Sequence, residues 1–84
     1  MTSIRQWIIG ANLIGAQLDR ASLIGARLDG ASLEGVSFIR ADFKYVKGLT
    51  VVQLIHTASL KDCKNLDPKL REDIIEAGYR RLFR

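Results

Sequence analysis

Several residue types that usually mark function are nearly missing from this chain of 84 residues. Cys63 is the single cysteine, which excludes an internal disulfide and a cysteine-based zinc site. His56 is the single histidine and has no cysteine near it in sequence, so a place on a helix at a partly buried surface is expected rather than catalysis or metal binding. Long apolar runs are missing too: the longest, from Trp7 to Ala16, contains Asn12 and is far too short to cross a bilayer. The amino end has no charged lead, apolar run and cleavage site in the order of a secretion signal, and a cytoplasmic protein is expected. The net charge of +4 is too mild to dictate a partner.

What is present is a repeat. From Ala11 the chain reads ANLIG, AQLDR, ASLIG, ARLDG, ASLEG, VSFIR, ADFKY. The first place is small: Ala11, Ala16, Ala21, Ala26, Ala31, Val36, Ala41. The third is large and apolar: Leu13, Leu18, Leu23, Leu28, Leu33, Phe38, Phe43. A polar residue lies between them, so the first and third side chains point one way and the second the other. Fourth and fifth places break the alternation, often with glycine, which tolerates the positive φ of a tight turn. A short extended piece and a corner, recurring every five residues, cannot be a helix of period 3.6. These fourteen small and large residues are the expected core.

The pattern resembles the pentapeptide-repeat family, whose signature A-(N/D)-L-x-x is met most literally by Ala11-Asn12-Leu13 and Ala41-Asp42-Phe43. That resemblance implies a mainly β fold: a right-handed quadrilateral parallel β-helix with four pentapeptides per coil. Residues 6–50 would supply about two coils within a single domain spanning 1–84. QWIIG at 6–10, and Gly48 where a large apolar residue belongs, read as worn ends. If residues twenty apart stack, Trp7, Arg27 and Lys47 share a column and Arg20 lies under Arg40, a like-charge pair. Asp19 and Asp29 fall on different walls, which excludes a catalytic carboxylate pair. Fourth places point outward, and Ile9, Ile14, Ile24, Ile39 and Leu49 there form a candidate partner patch.

Beyond Leu49 the period stops, and residues 51–84 are expected to form a helical carboxyl-terminal cap. Thr50 and Gln53 have the spacing of a capping box, predicting a short helix over about 51–58. Asp67 and Pro68 are an N-cap and first-position pair, with Leu70, Ile74 and Ala77 following at one-turn intervals. Glu76 stands four residues before Arg80, in favourable ion-pair order. The L-T-x-x-Q-L and L-D-P-x-L-R phrases are similar to tails that follow such solenoids in bacterial, notably cyanobacterial, proteins. Their implied task is to cover the open end of the core. The amino end has only MTSIR, so Ile4 and Trp7 folding over it, or head-to-head dimerisation, is expected there.

Sites of chemistry are hard to assemble from these residues. Gly25 to Ser32 has P-loop spacing, but Ala31 stands where the lysine is needed and the spacing is a by-product of the repeat. Cys63 has no basic or helix-start setting and reads as a packing residue. The expectation is therefore a non-enzymatic protein without cofactor or metal, acting as a protein–protein interaction or scaffold module or associating with itself. The alternative is binding of nucleic acid or an anionic surface through Arg71, Arg80, Arg81 and Arg84, diluted by Glu72, Asp73 and Glu76. Some family members mimic DNA and bind gyrase; that role calls for a long acidic rod, and this chain is short and basic.

Overall fold

A computed structural model describes residues 9–84. The second places of successive coils pair as parallel bridges: Asn12 with Ser32, Gln17 with Ser37, Ser22 with Asp42 and Arg27 with Lys47. The interval is twenty residues, four pentapeptides, so the chain closes one coil before stacking on itself. Each contact is a single bridged residue; no extended strand is present among the described residues. The backbone bonds of the Gln17 column show the geometry: Leu18 N donates to Ser37 O at 2.8 Å and Ser37 N to Ala16 O at 3.1 Å.

Corners follow directly from the sequence. The amide of each new first place donates back to the third place before it, as in Ala26 N to Leu23 O at 2.9 Å. The residue between turns left-handed at every fifth place, from Gly25 at φ +75° to Arg20, Arg40 and Tyr45 near +61°. A positive φ at the penultimate position is the type II turn pattern. Gly48, one of the expected worn ends, has a definite reason for lacking a side chain. A Cβ there would stand 2.3 Å from Asp29 Oδ1 and 2.7 Å from Asp29 N.

The core runs along the coil axis. Leu23, Leu28, Leu33, Phe38 and Phe43 are buried, and the two phenylalanine rings meet edge to face with centroids 5.1 Å apart. Fully burying a side chain of this size stabilises by about 1.5–3 kcal/mol. Ala11, Leu13 and Ala16, expected in the core, are only half-buried.

The tail departs from expectation. Helix α1 spans Val51–Ile55 and ends at a His56 C-cap, three residues short of the expected 58. The period then resumes: Ser59 bridges Ser37 and Lys64 bridges Asp42. Ala58-Ser59-Leu60 is again small-polar-large, and Cys63 takes the small place one coil below Ala41. These intervals are 22 residues instead of 20, so α1 inserts two residues into the third coil. Residues 51–84 are thus not a purely helical cap; a partial third coil runs through them.

Helix α2, Pro68–Glu76, begins as expected, with Asp67 accepting from Lys69 N at 2.9 Å. The expected Glu76–Arg80 pair does not form, because α2 ends at Glu76 and Arg80 opens a 3-10 turn over Arg80–Phe83. Lys69 and Asp73 make the i,i+4 pair instead, at 3.2 Å. Leu60 N donates to Leu82 O at 2.7 Å, tying this turn to the third coil. Leu54, Leu66, Ile74 and Leu82 are buried and extend the core beneath the last coil.

Candidate functional site

The fourth places lie on four separate corners, and their character changes from coil to coil. In the first coil they are Ile9, Ile14, Asp19 and Ile24; in the second Asp29, Glu34, Ile39 and Lys44. Ile9, Ile14 and Ile24 are 54%, 57% and 38% exposed. Leu49 packs against the core and so leaves the expected outward patch, whereas Ile39 is half-buried and lines a surface groove apart from the three exposed isoleucines. The three exposed isoleucines therefore ring the first coil rather than line one wall. Trp7 and Ile4, expected to help close that end, lie outside the described residues.

A second feature is charged. Arg20 and Arg40 occupy successive levels of one left-handed corner, as their stacking order predicted, and Asp62 follows at the third level with φ +56°. Two shallow grooves share these arginines. One, about 290 Å³, is lined by Ser22, Asp42 and Lys64; the other, about 450 Å³, by Asp19, Ile39, Lys61 and Asp62. The lysines come from the third coil. They were not anticipated here because the two-residue insertion at α1 shifts them out of phase with the repeat. Asp19 accepts from Ile39 N at 3.1 Å and from the Ser37 hydroxyl. Asp42 accepts from Asn65 Nδ2 at 2.9 Å and Lys44 N at 3.0 Å. The Asn65 bond, with lesser help from the Lys44 amide and nearby lysines, holds the Asp42 carboxyl below the usual range despite partial burial.

Other candidate residues are placed structurally. Arg27 donates to both Asp29 oxygens at 3.2 Å, and that hydrogen bonding holds the Asp29 carboxyl low. Asp19 and Asp29 follow different bridge columns, as expected. His56 is exposed rather than half-buried, and its carbonyl accepts from Gly35 N at 2.9 Å. Cys63 is half-buried against the core, and burial raises its thiol pKa, the opposite of what a reactive thiolate needs. Arg71 stacks on Phe83 at 4.3 Å and Arg81 on Tyr79 at 5.2 Å, so two of the four tail arginines rest on aromatic rings. Among the described residues no group of three or more His, Cys, Asp or Glu side chains is arranged to hold a metal. None of their helices is long and apolar enough to cross a membrane.

Twenty-residue bridge intervals, corners at every fifth residue and an inward small-large pair define a β-helical repeat protein. The family model described as pentapeptide repeats (8 copies) matches residues 16–47, and this stretch belongs to the pentapeptide-repeat family. Comparison with curated proteins and with solved structures gave no significant match.

Proposed function

We propose that this chain is a non-enzymatic pentapeptide-repeat protein that acts as an interaction or scaffold module, built as a right-handed, four-sided coil. The supporting observation is the polarity gradient along the coil axis: exposed isoleucines on three corners of the first coil, charged residues at those corners in the second. A partner approaching one wall would meet a single isoleucine. One approaching along the axis at the amino-terminal coil meets all three, with half-buried Leu13 and Ala16 inside the ring. End-on association of two copies is the reading that uses every one of these groups.

Sedimentation equilibrium over a wide concentration range tests it. Wild type is expected to dimerise. The Ile14→Lys/Ile24→Lys variant, with an unchanged circular dichroism spectrum, is expected to dissociate at least about ten-fold more readily, a loss of roughly 1.4 kcal/mol. A wild type that stays monomeric throughout, or a variant that dimerises equally well, rejects end-on association.

A further inference from the structure

We propose that the Arg20–Arg40 corner is a binding site for a small phosphate-class dianion, held between the two guanidinium groups with Lys61 and Lys64 on either side. The first support is a conformational cost without an internal return. Both arginines sit in the left-handed region, at φ +62° and +61°, where most of the equivalent corners carry glycine. Both also stand one above the other at coil spacing, so their charges repel. No hydrogen bond, ion pair or ring contact involves either side chain among the described residues. Glycine at both corners would remove both penalties, so the fold itself gives no reason for the arginines.

The second support is the shape and lining of the corner. The two grooves open on opposite sides of the arginine pair, bringing Lys64 and Ser22 to one flank and Lys61 to the other. Each groove thus joins the two arginines to one lysine of the third coil, with the Ser22 hydroxyl added on the Lys64 flank. Two of the three nearby carboxylates are turned to their own surroundings, Asp19 to Ser37 and Ile39 N, Asp42 to Asn65 and Lys44 N. Asp62 is the third; against Arg20, Arg40, Lys61 and Lys64 the three carboxylates leave the corner a formal net charge of +1. Guanidinium forks bind tetrahedral oxyanions through paired, charge-assisted hydrogen bonds. A dianion between two of them would also cancel their mutual repulsion.

The test is calorimetric titration of the full chain with inorganic phosphate and with pyrophosphate at constant ionic strength set by sodium chloride. Saturable binding is expected, with pyrophosphate tighter because it can span both levels. Arg20→Gly/Arg40→Gly should bind at least about ten-fold more weakly while unfolding at the same urea concentration or higher. A charge-matched control, Arg80→Gln/Arg84→Gln, removes two cations from the tail and should bind like wild type. Absent saturation, or equal weakening in the control, overturns the site. A marked loss of stability in Arg20→Gly/Arg40→Gly also overturns it, because the arginines would then be structural. Arg40→Gln, which removes the charge but keeps a polar, non-glycine side chain at the corner, must weaken binding as well; unchanged affinity in that variant rejects the charge-based account.

Discussion

At the scale of single residues, the left-handed corners separate two reasons for glycine. Gly25, at φ +75°, has open space where a Cβ would go. Gly25→Ala therefore meets only backbone strain, partly offset by a stiffer unfolded chain, and should cost about 1 kcal/mol. Gly48→Ala adds a collision with Asp29, and part of that collision is with the backbone nitrogen. It should cost about 2–4 kcal/mol, and trimming Asp29 to alanine in the same chain should recover only a fraction. Urea unfolding of these variants checks the order; equal costs for the two glycines would contradict it. Acid should act through Asp29 and Asp42, whose carboxyls are both held low. A lowered folded-state pKa contributes stability that is complete above the unfolded value, near 4, and is lost as pH falls through the folded one. The unfolding midpoint should therefore decline from about pH 4 downward, and less steeply in Asp29→Asn/Asp42→Asn. Parallel declines in wild type and variant would assign the acid sensitivity to other groups.

At the scale of elements, α1 is the interruption around which the last coil is arranged, and Gln53 joins it to the coil above. Its Oε1 accepts from Thr50 N at 2.8 Å, completing the capping box. Its Nε2 donates to Leu28 O at 2.8 Å and Ala31 O at 3.0 Å. Those carbonyls belong to a corner of the second coil beside which α1 takes the place of a third-coil wall. The side-chain amide replaces the next-coil backbone donor at Ala31 O and adds a second bond at Leu28 O, which already accepts from Ala31 N at 3.1 Å. Gln53→Ala should destabilise by about 2–3 kcal/mol. Gln53→Glu keeps the acceptor for Thr50 but turns an oxygen toward two carbonyls. It should cost at least as much at pH 7 and less near pH 4, where a protonated carboxyl can donate again. A penalty for the glutamate variant that does not change with pH would contradict this assignment.

The start of α1 was legible because Thr50 and Gln53 interact over three residues. Its end was not, because Leu54, Ile55 and Ala58 also fit a helical spacing. The resumed repeat at Ala58-Ser59-Leu60 was present in plain letters but two residues out of phase. Only the bridges fix how much chain a helix consumes in rounding a corner. The Gln53 amide bonds were hidden for the same reason: their partners lie 25 and 22 residues away. By contrast, the core positions from Ala21 to Phe43 could be read from period alone, since each repeat restates them.

At the scale of the whole molecule, the two ends of the solenoid are treated differently, and its stability should vary along the axis accordingly. Second-coil residues are bonded on both sides: Ser37 N to Ala16 O above, Phe38 N to Ser59 O below, and likewise Asp42 N to Ala21 O and Phe43 N to Lys64 O. The third coil is backed by Ile74 and Leu82, both buried. First-coil Leu13 and Ala16 are only half-buried, although Leu13 N and Gly15 N do donate to Ser32 O and Glu34 O. In a stacked repeat each coil is held by its neighbours, so opening should begin where burial is least and stop at the doubly flanked coil. Native-state hydrogen exchange should therefore find the amides of Phe38, Asp42 and Phe43 protected to the level of global unfolding. Those of Leu13 and Gly15 should exchange through a smaller opening, about 1–3 kcal/mol less costly, at low protein concentration. Raising the concentration should close that gap if two copies meet at the amino-terminal coil, since association stabilises only the coils it covers. Uniform protection from Leu13 to Phe43 at every concentration would make the solenoid one cooperative unit and remove the energetic asymmetry on which end-on pairing depends.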